Sequence, residues 1–127
     1  MVYSAYMDEA LIILFGSRAK GTARESSDFD VAVLKDHPID YFGSEFGDML
    51  RFMSEKFHMP YDRIDLVDLF DASPLLWHEA ATHGKLLQGI EGQFVGFKIR
   101  AWKRFMGAQK LYRMRFTHLA EKMKTFT

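Results

Sequence analysis

Apolar residues come in short blocks in the first part of this chain and in a long helical rhythm at its end. Leu11–Phe15 (LIILF) is a continuous apolar run, too short for a helix, and predicts a buried strand. Gly16 and Ser17 then turn the chain into a short helical stretch around Ala19–Arg24. Asp28–Leu34 (DFDVAVL), rich in Val, reads as a second strand, and Asp36–Asp40, with Pro38, as a loop. From Ser44 to Phe57 the period changes. Phe46, Met49, Leu50, Met53 and Phe57 fall on one face of a helix, with Ser44 as its candidate N-cap. Pro60 closes that region. Arg63–Leu69 (RIDLVDL) predicts a third strand, with Ile64, Leu66 and Asp68 on one face and Asp65, Val67 and Leu69 on the other. Ser73 and Pro74 have the chemistry of an N-cap and first helical residue, for a helix that runs to about His83 and stops at Gly84.

From Gln93 to Met123 the pattern is helical again. Trp102, Phe105, Gln109, Tyr112, Phe116, Leu119 and Met123 repeat at alternating steps of three and four, a heptad-like seam. Two readings of the seam stand open: packing against the sheet, or a dimer or partner interface. Gly107 weakens this helix by ~1 kcal/mol relative to Ala and is a candidate kink. No internal repeat or Pro/Gly/Ser-rich linker divides the chain.

The charge pattern sharpens this division. The 127 residues carry no net charge, yet residues 1–92 hold 8 Lys+Arg against 16 Asp+Glu, while residues 93–127 hold 9 against Glu121 alone. A body of −8 and a tail of +8 predict that the tail meets something acidic: this body, a partner protein, a nucleotide or a nucleic acid. A core spanning residues 1–92 and a basic amphipathic helix spanning 93–127, packed on the core or on a partner, is the expected organisation. The absence of cysteine excludes disulfides, Cys-based zinc sites and thiol chemistry, and fits a reducing cytoplasm. Met1–Glu9 lacks the basic start of a signal peptide, and Ala10–Phe15 is far shorter than the ~20 residues of a membrane helix, so a cytoplasmic protein with no membrane partner is expected.

Three features carry candidate chemistry. Gly16-Ser17 directly follows a buried strand, Asp28 and Asp30 open the next strand after ten intervening residues, and Asp65 sits inside a third. A Gly-Ser turn at a helix start offers backbone N–H groups and a hydroxyl to phosphate, and glycine lets the backbone come close. Arg18 and Lys20 add positive charge beside it. Asp28 and Asp30, two apart in a strand, project on the same face. Hard oxygen anions so placed suit Mg²⁺, which takes one or two carboxylates plus phosphate oxygens and water. Asp65 on a neighbouring strand would complete a two-metal site or act as general base. The other residues offer less. The five histidines show no metal spacing, the eight methionines read as core filling, and Tyr3, Tyr6, Tyr41 and Tyr61 are equal candidates for stacking on a base.

Gly16–Leu34 (GSRAKGTARESSDFDVAVL) resembles the signature of the nucleotidyltransferase superfamily related to DNA polymerase β, and most closely its minimal nucleotidyltransferase branch: Gly-Ser, ten residues, Asp-x-Asp. Ile64–Leu69 (IDLVDL) resembles that branch's third-carboxylate strand, and Ser73–Gly89 the helix and terminal strand that follow. The resemblance covers roughly residues 10–90 and leaves the basic aromatic tail outside the shared pattern. It implies an α+β fold, a short mixed sheet flanked by helices, here with a long C-terminal helix. It also implies Mg²⁺ (two ions) held by Asp28, Asp30 and Asp65, and a nucleoside triphosphate, usually ATP, gripped by Gly16, Ser17, Arg18 and Lys20. Members of the branch commonly act as antitoxins that attach AMP to a tyrosine of a HEPN-type ribonuclease toxin, which makes a protein acceptor the leading expectation. The alternatives are a small-molecule enzyme of the aminoglycoside nucleotidyltransferase kind, completed by a homo-oligomer, and a non-catalytic partner-binding module. Nucleic acid enters only through the tail, where Trp102 and Tyr112 lie among basic residues.

Overall fold

The computed structural model describes residues 7–125. Tyr3 and Tyr6 lie outside the described residues. Four strands form one mixed sheet: β1 (Leu11–Phe15), β2 (Phe29–Leu34), β3 (Ile64–Asp68) and β4 (Lys85–Gln88), in the order β3-β2-β1-β4. β1 runs antiparallel to β2 and β4, and β2 runs parallel to β3. Flanking it among the described residues are α1 (Ser17–Lys20), α2 (Ser44–Phe57), α3 (Pro74–His83) and α4 (Glu91–Thr125). This is the α+β arrangement expected, with α2 as the crossover that a parallel β2–β3 pair requires.

Strand alternation divides the apolar residues into two cores. Ile12, Val31, Val33 and Leu66 meet Met49, Leu50, Phe52 and Met53 of α2 on one face. Leu11, Ile13, Phe15 and Ala32 meet Trp77 and Ala80 of α3 and Phe94, Phe97 and Ala101 of α4 on the other. The Trp77 and Phe97 rings sit 4.9 Å apart at 41°, and Trp77 Nε1 donates to the Leu69 carbonyl at 2.7 Å, so the indole is both packed and hydrogen-bonded. Ser73 caps α3 as expected, its Oγ accepting from Leu76 N at 3.2 Å.

Several boundaries differ from the sequence reading. Asp28 stands one residue before β2, outside the strand. α1 starts at Ser17 and ends at Lys20, where Gly21 (φ +77°) takes the left-handed conformation that stops a helix. Gly43, not Ser44, is the N-cap of α2. Gly84 has an ordinary φ of −70°. Its glycine serves contact: a Cβ there would lie 2.0 Å from the Ala80 carbonyl and 2.4 Å from Ile13 Cγ2.

α4 is a single 35-residue helix that runs through Gly107 without interruption. The expected seam does not lie on the sheet. Trp102 is 58% exposed, and Tyr112, Phe116, Leu119 and Met123 are exposed as well. The helix is attached one turn earlier, through Phe94, Phe97 and Ala101. In helical phase that buried face continues through Phe105, Ala108, Tyr112, Phe116, Leu119 and Met123, so one apolar stripe is buried for its first half and uncovered for its second.

The loop from β2 to α2 is tied by ion pairs. The Lys35 ammonium reaches the Glu45 carboxylate, whose other oxygen accepts from Asp40 N at 3.3 Å, and His37 bridges Asp36 and Glu45. Burial pushes the Glu45 carboxyl up, but the Lys35 bond, the Asp40 amide and His37 together hold it below its ordinary value. A depressed carboxyl contributes stability above its unfolded pKa and loses it as pH falls through the folded one. Glu45→Gln is therefore expected to cost about 1 kcal/mol at neutral pH, with the gap to the parent closing below about pH 4. Chemical denaturation at pH 7 and pH 3 checks this.

Candidate active site

The acidic pair and the Gly-Ser turn meet at one end of the sheet. β1 ends at Phe15, whose register partner on β2 is Asp30, and Gly16 follows immediately. Asp30 in turn pairs in register with Asp65 on β3. Parallel neighbours in register project to the same side, so Asp30 and Asp65 stand together on the face that carries α3 and α4 further along.

Gly16 adopts φ +71° and ψ −154°, a conformation essentially reserved for glycine. A Cβ at this position would lie 2.1 Å from Asp30 Oδ2. The turn and the carboxylate are thus in direct contact. α1 opens from the turn, with Ala19 N and Lys20 N bonding back to the Gly16 carbonyl at 3.2 and 3.1 Å. The Ser17 and Arg18 amides lie in the first turn, where helical N–H groups lack intrahelical partners.

Asp30 is half-buried and Asp65 exposed. Burial, the charge of Asp65, a hydrogen bond between the two carboxyls and the charge of Asp28 all hold Asp30 above its ordinary value. Such a pair resists double ionisation unless a cation neutralises it. Asp28 is exposed and acts on Asp30 through its charge. Among the described residues no set of three or more carboxylates or imidazoles closes into a metal cage. The expected triad is therefore a close pair with a flanking third acid. That donor set fits Mg²⁺, which keeps waters and completes its shell with substrate phosphate, better than an ion needing an all-protein cage.

The two cations expected beside the turn have other engagements. Lys20 Nζ lies 3.5 Å from Glu79 Oε2 of α3, both partly exposed, a weak link that a polyphosphate can displace. Arg18 turns away from the turn. Its Nη2 donates to the carbonyls of Ser27 at 2.7 Å and Glu25 at 3.2 Å, and the guanidinium stacks 4.2 Å above the Phe29 ring. Asp68 caps backbone, accepting from Ile39 N at 2.8 Å and Phe70 N at 3.0 Å. Of the tyrosines, Tyr41 is distinguished by its position. Burial first, then the charges of Asp68 and Asp65, raise its phenol above the ordinary range, and its ring lies 5.1 Å from that of Phe46.

Arg63 was not evident from the sequence. It ends the 3₁₀ turn Tyr61–Arg63 before β3 and donates to the same two carbonyls as Arg18, from 36 and 38 residues away. No spacing rule reaches that far.

Residues 3–91 match the family described as polymerase beta, nucleotidyltransferase. The chain is 37% identical over 83 residues to protein adenylyltransferase MntA of Shewanella oneidensis, an alignment covering 64% of this chain and 55% of that protein. It thus spans about half the length of the curated relatives it matches. It is also similar to a chain in a crystal structure of a toxin–antitoxin with AMP-PNP (TM-score 0.68, 27% identity, 96% of this chain and 93% of that one). A chain in the structure of a tri-AMPylated Shewanella oneidensis HEPN toxin in complex with MNT antitoxin matches at TM-score 0.58 and 26% identity, covering 89% of this chain and 82% of that one. Coverage of 96% takes in most of α4, so the tail belongs to a shared fold that the sequence signature alone left out.

Proposed function

Because this chain belongs to the polymerase beta nucleotidyltransferase family, we propose that it is a protein adenylyltransferase that moves AMP from ATP to a tyrosine hydroxyl of a HEPN-type toxin and so acts as its antitoxin. The observation that carries this is the close approach of Asp30, paired in register with Asp65, to Gly16 of the Gly-Ser turn. The MntA relative is named a protein adenylyltransferase, and the similar solved structures hold AMP-PNP in one case and an AMPylated HEPN toxin in another.

In this reading Asp30 and Asp65, with Asp28 flanking, would hold Mg²⁺, and the ion would supply charge neutralisation for the triphosphate. The Gly16-Ser17 turn and the first amides of α1 grip phosphate oxygens. Lys20 exchanges Glu79 for the polyphosphate. Asp65, the more exposed acid, orients the acceptor hydroxyl and takes its proton. The tyrosine oxygen bonds to the α-phosphorus, the bond from that phosphorus to the bridging oxygen breaks, and pyrophosphate leaves. Residues 1–92 perform this chemistry. The distal half of α4 docks the partner, through its bare stripe and through the groove of about 660 Å³ between Pro74–Leu75 and Phe105–Tyr112. Among the described residues no helix is long and apolar enough to cross a membrane, and an ATP-dependent antitoxin belongs in the cytoplasm.

Full-length chain, Mg²⁺, α-labelled ATP and a HEPN-type protein should give labelled HEPN protein, and chelation of the metal should stop it. No label on the protein would sink the proposal. The triple variant Tyr112→Ser, Phe116→Ser, Leu119→Ser should weaken binding of the HEPN protein at least tenfold, since these side chains are exposed and of the apolar kind that anchors interfaces. Its melting temperature should stay unchanged. Unaltered binding would place the interface elsewhere.

A further inference from the structure

We infer that Arg18 and Arg63 are positioning residues that together hold the segment leading into Asp28, and so set the reach of that carboxylate toward the Asp30–Asp65 pair; the inference rests on the metal-dependent reading of the same site.

Four hydrogen bonds make a closed square. Arg18 Nη2 donates to Ser27 O at 2.7 Å and Glu25 O at 3.2 Å. Arg63 Nη2 donates to Ser27 O at 3.2 Å and also to Glu25 O. An arginine terminal nitrogen has two hydrogens and a carbonyl oxygen two lone pairs, so both donors and both acceptors are saturated. Bonds from an ionised donor are roughly twice as strong as neutral ones. Among the described residues neither guanidinium forms an ion pair, so both charges are spent on this backbone.

What the square joins gives it meaning. Arg18 lies two residues after Gly16, Arg63 two before Asp65, and Ser27 one before Asp28. The three stretches that carry the turn, the edge acid and the flanking acid therefore meet on two oxygens. Without this anchor the exposed segment keeps only its internal turn, Arg24 N to Ser27 Oγ and Ser27 N to Arg24 O, both 2.9 Å. That turn fixes its shape, and the Phe29–Ile64 pairing ties its far end to β3, but the two arginines are what bind residues 25–27 across to Arg63. Arg18 is itself immobilised, stacked on Phe29 with its Nε buried and without a hydrogen-bond partner. Lysine, with a single ammonium, does not reproduce the planar fork.

The test is Mn²⁺ titration of the full chain by calorimetry, with amide hydrogen exchange read at residues 25–28. Arg63→Met and Arg18→Met should each weaken Mn²⁺ binding about tenfold, as loss of outer-shell partners does. Exchange at 25–28 should speed up while that of α2 stays as it was. The double variant should lose little more than either single one, because either breaks the square. Arg63→Lys should recover part of the affinity, and Arg51→Met on the exposed side of α2 should change nothing. If the methionine variants fail to fold, Arg63→Lys carries the test alone: Mn²⁺ affinity equal to the parent overturns the proposal, and a loss of several-fold supports it. A parent chain that binds no Mn²⁺ overturns the metal reading and the clamp together. A parent that binds, with variants that bind equally well, overturns the clamp alone.

Discussion

Asp30→Asn is expected to reduce AMP transfer by about 10³-fold, the rate equivalent of losing about 4 kcal/mol of transition-state charge stabilisation. The same variant should not be destabilised. In the parent, burial and the neighbouring Asp65 and Asp28 charges disfavour the ionised Asp30 carboxyl. Asparagine keeps the shape and can still donate to Asp65, while removing the repulsion. The metal-free variant should therefore melt at or above the temperature of the metal-free parent. Mg²⁺ should raise the parent's melting temperature, because a ligand that binds only the folded state stabilises it by mass action. It should leave the variant's unchanged. Calorimetric melting with and without Mg²⁺, alongside labelled-ATP transfer, reads both effects. A variant that retains transfer would remove Asp30 from the chemistry. A variant that lost activity only because it had unfolded would leave the acid pair a structural role.

Gly16→Ala should cost about 10²- to 10³-fold in transfer, for two separable reasons. The conformation at φ +71°, ψ −154° strains any L-residue by about 1–3 kcal/mol. In addition, the new methyl would lie 2.1 Å from Asp30 Oδ2 and 3.3 Å from Asp30 Cβ, so the carboxylate itself must move. Displacement on the order of 1 Å at a reacting centre is enough for a 10²-fold loss. Gly21→Ala separates the two causes. Gly21 also has a positive φ, +77°, but a Cβ there meets nothing within 4 Å. That variant should lose about 1 kcal/mol of stability and keep transfer and Mg²⁺ affinity. Equal losses of activity in both variants would show that backbone strain, rather than contact with the acid, makes glycine necessary at the turn.

The sequence was informative wherever the determining forces are local. Leu11–Phe15 is a strand because five apolar residues in a row need cover on both faces, and it has it. The phase of β3 followed from alternation alone: Ile64 and Leu66 join one core, Val67 and Leu69 the other. Helix ends were harder, because Ser44 and Gly43 are both competent caps and only the path of the preceding loop chooses between them. The seam of α4 was seen, but not where along the helix its burial ends, since that depends on how far α3 and the sheet extend beneath it. Asp30 and Asp65 were expected in one site with Asp28, yet which two of the three stand side by side depends on the register of strands far apart in sequence. The arginine square was invisible, because its acceptors are backbone oxygens and carry no residue signature.

The position of β3 at the margin of the sheet has a consequence for what this protein can serve. Among the described residues no strand lies beyond it, so Asp65 is open at the flank, where on the proposed reading a side chain presented on a folded surface reaches the acid pair. On that reading the acceptor supplies the outer wall of the reaction chamber.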